Sequence, residues 1–73
     1  MPRKPEPNLT NCVRELRGKT EGMTQQSLAD AVSVTRQTIV AMETGTYTPP
    51  LALAIRIARV FDCGVEDVFT LQE

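Results

Sequence analysis

The chain has 73 residues, 41% of them hydrophobic but only 4% aromatic, with a formal net charge of −1 and no histidine. That length admits one small domain, and the composition suits an aliphatic helical core rather than a disordered chain. Without histidine, and with Cys12 and Cys63 far apart and outside any C-x-x-C pair, a tetrahedral zinc site lacks ligands. No metal is expected. The two cysteines are read as reduced, largely buried thiols. There is no glycine-rich phosphate loop and no clustered carboxylates, so neither an enzyme nor a cofactor is expected. No run approaches the roughly 18 apolar residues of a membrane span, and MPRKPEP lacks the apolar stretch of a signal peptide. A soluble, cytoplasmic protein with no room for a small-molecule domain is the expectation.

Residues 1–7 hold three prolines, each of which keeps its predecessor out of the helical region, and are expected to form an extended, mobile arm ahead of a domain at 8–73. From Asn8 the residues Leu9, Cys12, Val13 and Leu16 recur at helical steps. They predict a first helix, with Asn8 or Thr10 as cap and Gly18 or Gly22 weakening its end. A second helix opens at Thr24 as N-cap and runs to about Val32, with Leu28, Ala31 and Val32 inward. A third follows almost at once, capped by Thr35 and stopped at Gly45. TYTPP, residues 46–50, is a turn that cannot be helical. Residues 51–61, LALAIRIARVF, form a helix apolar almost all round, which belongs at the centre of a bundle or between two bundles. One short turn follows around Val65 to Phe69, with Glu66 and Asp67 favourably placed at its N-terminus. The predicted fold class is all-α, with five short helices.

Two helices joined by about three residues have the spacing of a helix-turn-helix. A close crossing needs a small residue, which Ala29 supplies, and apolar wedges on the far helix, which Val34, Ile39 and Met42 supply. Advancing 100° per residue from Thr35 groups Ile39, Met42 and Thr38 on one side and Arg36, Gln37, Val40, Ala41 and Thr44 on the other. Arg bonds bidentately to guanine, Gln to adenine, and Val or Ala methyls touch thymine methyls. An ordinary solvated helix face carries Glu or Lys more often than Val40 beside Ala41. The outer face therefore reads as one that enters a major groove of double-stranded DNA.

The segment TQQSLADAVSVTRQTIVAMETGTYTPPLALAIRIARVF resembles the helix-turn-helix of the phage repressor and Cro family, of xenobiotic-response-element type. The short length and the ending VEDVF are similar to its compact single-domain members, such as the cytolysin repressor. The likeness covers roughly residues 9–70, and its most specific run is Q-x-x-L-A, nine residues, then I, from Gln25 to Ile39. It implies a five-helix, lambda-repressor-like fold and a homodimer, expected to be a repressor on a palindromic operator. An antitoxin or restriction-modification controller shares the same module. A helical protein-interaction module without DNA binding is the alternative from another class, and the intact Arg36-Gln37 pair argues against it.

By position, the resemblance puts Thr35, Arg36, Gln37 and Ala41 against bases, joined by Val40 from the helix face. Gln25 is placed on a phosphate beside Thr24, and Thr44, Thr46 and Tyr47 near the DNA backbone. Gln25 also lies in the first turn of a helix, where free N–H groups and the dipole attract an anion. The resemblance further implies that Glu43 pairs with an arginine of the first helix, here Arg17. Three departures stand out: Ser33 where a turn glycine is usual, one extra residue in Gly18-Lys19-Thr20-Glu21, and Pro50 in place of a capping serine.

Charge is sorted along the chain. Arg3, Lys4, Arg14, Arg17, Lys19 and Arg36 face only Glu6, Glu15, Glu21 and Asp30 in residues 1–40, whereas Asp62, Glu66, Asp67 and Glu73 crowd the end. The local field at the binding face, not the net charge, sets attraction to DNA. A weakly basic end is expected to read DNA while an acidic end faces away. That far end offers Val65, Val68, Phe69 and Leu71 in a stretch too short to be wholly buried, and it is the expected dimer surface, with the outer edge of residues 51–61.

Overall fold

The computed structural model describes residues 5–72, in the order β1 (Leu9–Asn11), α1 (Val13–Gly18), α2 (Gln25–Ala31), α3 (Arg36–Glu43), α4 (Leu51–Val60), α5 (Val65–Val68) and β2 (Phe69–Leu71). Five helices are present, but the all-α expectation needs a correction. β1 and β2 pair antiparallel, with Leu9 opposite Leu71, Thr10 opposite Thr70 and Asn11 opposite Phe69. The expected first helix therefore begins only at Val13. Helical spacing of Leu9, Cys12 and Val13 cannot reveal that a partner strand 60 residues away in sequence will satisfy the backbone of Thr10.

Neither Asn8 nor Thr10 caps α1. The Asn11 side chain does so in part: its Oδ1 accepts the Val13 N–H at 3.1 Å, and its Nδ2 donates to the Met42 carbonyl at 3.0 Å. One amide thus starts α1 and ties it to α3. The two other expected caps are as read. Thr24 Oγ1 accepts from the Ser27 N–H at 3.0 Å while Ser27 Oγ accepts from the Thr24 N–H at 2.8 Å, a capping box. Thr35 accepts from Thr38 N–H at 3.4 Å. Pro50 stands at the N-cap of α4 and makes no side-chain cap bond.

Helices α2, α3 and α4 end in one way. The residue two past the last helical one is left-handed: Ser33 at φ 62°, Gly45 at φ 82° and Asp62 at φ 53°. In each case its N–H and the next one bond back into the helix, as in Ser33 to Asp30 and Val34 to Ala29, at 3.3 and 3.0 Å. Ser33 and Asp62 thus adopt a conformation that costs a non-glycine residue about 1 kcal/mol.

Buried side chains of every helix meet in one core: Val13, Leu28, Ala29, Val32, Ile39, Met42, Leu53, Ala54, Ile57, Ala58, Val68 and Phe69. Two expectations change here. Ala31, expected inward, is exposed, whereas Ala29, expected at the helix crossing, is buried. Val68 and Phe69 are only 1% and 8% exposed, so they are core residues and leave almost no surface for a partner. Phe69 lies in the strand that pairs with β1 and belongs to the core. Of the four expected dimer residues only Leu71, at 56%, is widely exposed, and Val65 is half-buried. Helix α4 buries Leu53, Ala54, Ile57 and Ala58 but exposes Leu51, Ala52, Arg56 and Arg59, so it is one-sided rather than enclosed.

The expected arm at 1–7 falls partly on residues 1–4, which lie outside the described residues. The rest of it is held. The Glu6 N–H donates to Thr48 Oγ1 at 2.8 Å, and the Glu6 carbonyl accepts from Leu9 N–H at 3.2 Å. Cys12 and Cys63 are free thiols and half-buried, less covered than expected, and Cys12 Sγ donates to the Asp67 carbonyl at 3.3 Å. Burial first, and then the nearby carboxylate of Asp67, raises the Cys63 thiol above its ordinary value. It therefore stays protonated and a poor nucleophile at neutral pH.

Candidate nucleic-acid interface

Helices α2 and α3 pack together, with Ala29 on α2 and Ile39 and Met42 on the inner side of α3 all fully buried. Burying those two side chains fixes the rotation of α3 about its axis. Arg36, Gln37 and Thr44 are consequently exposed, with Val40 and Ala41 half-buried beside them. Thr35, at the N-cap, is exposed as well. The five residues expected to meet bases thus lie along the outer side of α3, as the helical period requires.

A chain of polar contacts leads to Arg36. Arg17 Nε donates to Glu43 Oε2 at 2.9 Å and its Nη2 to Glu43 Oε1 at 3.2 Å. Glu43 Oε1 also accepts from Gln25 Nε2 at 3.1 Å, and Gln25 Oε1 accepts from Arg36 Nε at 3.3 Å. The expected Arg17–Glu43 pair is present. Thr20 N–H and hydroxyl both bond back to α1, at 3.1 and 3.0 Å, and Gly22 turns the chain at φ 76°. The loop leaves α1 through these bonds, and Arg17 remains within reach of Glu43.

Burial drives the Glu43 carboxyl upward, but hydrogen bonds from Arg17 and Gln25, and the charges of Arg17 and Arg14, outweigh it and hold the group below its ordinary value. The same bond raises Arg17. Arg14, Arg17 and Arg36 line one concave cleft with a single carboxylate, Glu43, a local excess of positive side chains although the whole chain carries −1.

Gln25 therefore does more than the sequence suggested. Its amide is committed on one side to Glu43 and on the other to Arg36, and one N–H remains unpartnered among the described residues and available to an anion. Thr24 Oγ1 accepts its cap bond and still has its own proton to donate. Thr44 and Thr46 differ. Thr44 Oγ1 reaches the carbonyls of Val40 and Ala41 at 3.0 and 3.2 Å, and Thr46 Oγ1 reaches Ala41 at 3.1 Å. Each hydroxyl spends its single proton on the end of α3 and must release it before donating to a phosphate. Tyr47 is 38% exposed on the turn that follows.

Two contributors were missed by the sequence reading. Arg14 joins the cleft, and its i, i+3 relation to Arg17 on one helix was the available signal. Asn11, which bonds to Met42, had none.

The model of the helix-turn-helix family matches residues 13–68. The chain is similar to the uncharacterized HTH-type transcriptional regulator YgzD of Bacillus subtilis (strain 168), 46% identical over 89% of this chain and 97% of that protein. It is also similar to an uncharacterized HTH-type transcriptional regulator of Methanothermobacter thermautotrophicus, 53% identical over 84% and 88% of the two chains. Among solved structures, the restriction-modification controller protein C.AhdI from Aeromonas hydrophila superposes with a TM-score of 0.67 at 25% identity, over 75% of this chain and 78% of that one.

Proposed function

Because the chain belongs to the Cro/C1-type helix-turn-helix family and is a DNA-binding transcriptional regulator, we propose that it is a homodimeric repressor of a palindromic operator. The observation that carries this reading is the split of α3. Ile39 and Met42 are fully buried while Arg36 and Gln37 stand exposed in its first turn, with Arg36 steadied by Gln25. In that arrangement Arg36 and Gln37 meet base edges, the Val40 and Ala41 methyls meet thymine methyls, and Thr35 approaches from the N-cap. Thr24 and the free N–H of Gln25 take one phosphate, and Tyr47 with the turn at Thr44 and Thr46 lies along the backbone.

One such domain covers a half-site with few charged contacts and binds weakly on its own. Pairing two copies raises affinity through effective concentration. The surface left for pairing is the C-terminal side, around Leu71 and Val65, because α3 and the following turn must stay free. Two-fold pairing there sets the recognition helices about 34 Å apart, one helical turn of DNA. The likeness to the Aeromonas hydrophila controller favours one variant of this reading, in which the regulated genes form a restriction-modification pair.

A gel-shift against genomic fragments, under excess nonspecific duplex, tests the proposal. A discrete shifted fragment supports it. Retardation that the competitor abolishes equally for every fragment would refute it.

A further inference from the structure

Gln25, the first residue of α2, sits between the two ends of α3. Its Nε2 donates to Oε1 of Glu43, the last residue of α3, at 3.1 Å, and its Oε1 accepts from Nε of Arg36, the first, at 3.3 Å. Glu43 and Arg36 are about two turns apart and so share one side of the helix. On the far side of Glu43 the chain of bonds ends on Arg17, whose Nη1 also reaches the Met23 carbonyl at 3.5 Å.

The direction of this chain is dictated by its charged members. A guanidinium only donates and an ionised carboxylate only accepts, whereas an amide can present either end. The Glu43 carboxyl titrates below its ordinary value and is ionised at neutral pH. It therefore draws the NH2 end of Gln25 and leaves the carbonyl end for Arg36. We propose that Glu43 is a positioning residue for base recognition: by fixing the direction of the Gln25 amide, it supplies the acceptor that holds Arg36 Nε and leaves both Nη groups free for a base edge. The inference rests on the proposed reading of α3 as the recognition helix. It gives a carboxylate only 4% exposed a part in which sequence is chosen, beyond its pairing with Arg17.

The guanidinium geometry fits. Nε and both Nη groups lie in one plane, so a bond at Nε restricts that plane. The two Nη groups have no partner among the described residues, and together they form the fork that matches O6 and N7 of guanine. Arg36 is exposed, and a tether on so long a side chain reduces the ordering left to be done on binding.

Glu43→Gln is the isosteric test. Arg17 takes the one carbonyl oxygen that remains, and the new NH2 faces Gln25, whose amide reverses and turns its own NH2 to Arg36. Every group in the chain but Arg36 keeps a partner, so the variant is expected to fold. Adding Gln25→Glu puts an acceptor back beside Arg36 while the position-43 amide donates to the introduced carboxylate. Binding is read by fluorescence anisotropy at fixed salt, on a duplex recovered by selection with the wild type and on its base variants at the position that Arg36→Ala blurs. Glu43→Gln is expected to cut discrimination at that position by about fivefold or more and to leave other positions unchanged. The exchange variant, Gln25→Glu with Glu43→Gln, is expected to regain it, although its affinity for every duplex falls because a carboxylate now faces phosphates. A merely structural Glu43 would weaken all duplexes alike. Wild-type discrimination in a folded Glu43→Gln would overturn the inference, and so would an exchange variant that folds without regaining it. If Glu43→Gln melts below the assay temperature, the exchange variant alone decides between the two outcomes. A wild type that recovers no duplex would refute the DNA reading of α3 itself, and this inference with it.

Discussion

Arg17 holds Glu43 by two hydrogen bonds, 2.9 Å from Nε and 3.2 Å from Nη2, and so ties α1 to the last turn of α3. Glu43 is only 4% exposed, whereas Arg17 is 20% exposed. A carboxylate so covered is costly to leave alone, and the pair fixes geometry more than it adds stability. Its pH dependence follows from the direction of the shift. Glu43 titrates below the ordinary value of 4.5, so its contribution is fully present above that value and is lost as pH falls through the lowered one. Melting temperature of the wild type should therefore fall on acidification below 4.5 more steeply than that of Glu43→Gln. A calorimetric series from neutral pH downward measures this, and parallel curves for the two proteins would show that the pair does not titrate with folding.

Arg36 Nε donates to Gln25 Oε1 at 3.3 Å, so the two residues should act together in the proposed DNA recognition. Arg36→Ala is expected to lose about 1–3 kcal/mol of specific binding and to relax one base position, with little change in melting temperature. Gln25→Ala removes the brace on Arg36 and, on the proposed reading, a phosphate donor as well. In the double variant the losses should fall short of their sum by about 0.5–3 kcal/mol, since the brace has no value once Arg36 is gone. Binding titrations of the four proteins close the cycle, and strict additivity would mean that Gln25 does not position Arg36.

The left-handed positions give a stability test free of DNA. Ser33→Gly and Asp62→Gly should each raise stability by up to about 1 kcal/mol, and the two gains should add because the sites sit at the ends of different helices. Gly45→Ala should go the other way by a similar amount. A Cβ there meets nothing within 4 Å, so its cost is backbone strain alone. Chemical denaturation reads all three, and a clear loss from Ser33→Gly would mean the turn is not left-handed in solution.

At the C-terminus, Phe69→Asp and Leu71→Asp should part company. Phe69 is 8% exposed and lies over the core, so a carboxylate in its place should unfold the domain, at a cost of at least the roughly 3–5 kcal/mol of losing a buried phenylalanine. Leu71 is 56% exposed, and the same change there should leave the fold intact and convert a proposed dimer to monomer. Circular dichroism with sedimentation distinguishes the outcomes. A folded Leu71→Asp that sediments as the wild-type dimer would place the pairing surface elsewhere.

What the residues revealed in advance was local. Thr24, Thr35 and Gly45 announce the limits of α2 and α3 because capping and left-handed turns depend on the few neighbouring residues. The outward face of α3 follows from one helical period. The ribbon was not legible, since Leu9–Asn11 becomes a strand only through Phe69–Leu71, and that pairing leaves no periodic mark in three residues. Misreading it carried Phe69 to the surface. The pair of Arg17 and Glu43 was reached only through family resemblance. The link from Gln25 to Arg36 joins two helix starts 11 residues apart, a proximity that exists only once α2 and α3 have crossed.

The most direct test of α3 as a reader of operator DNA is selection of bound duplexes from a random pool by the wild type and by Arg36→Ala, followed by sequencing. The wild type is expected to enrich one sequence with two-fold symmetry and half-sites one helical turn apart. Arg36→Ala is expected to enrich the same sequence with one position blurred in each half. A pool that stays random under the wild type, or an unchanged preference in Arg36→Ala, would contradict that role for α3.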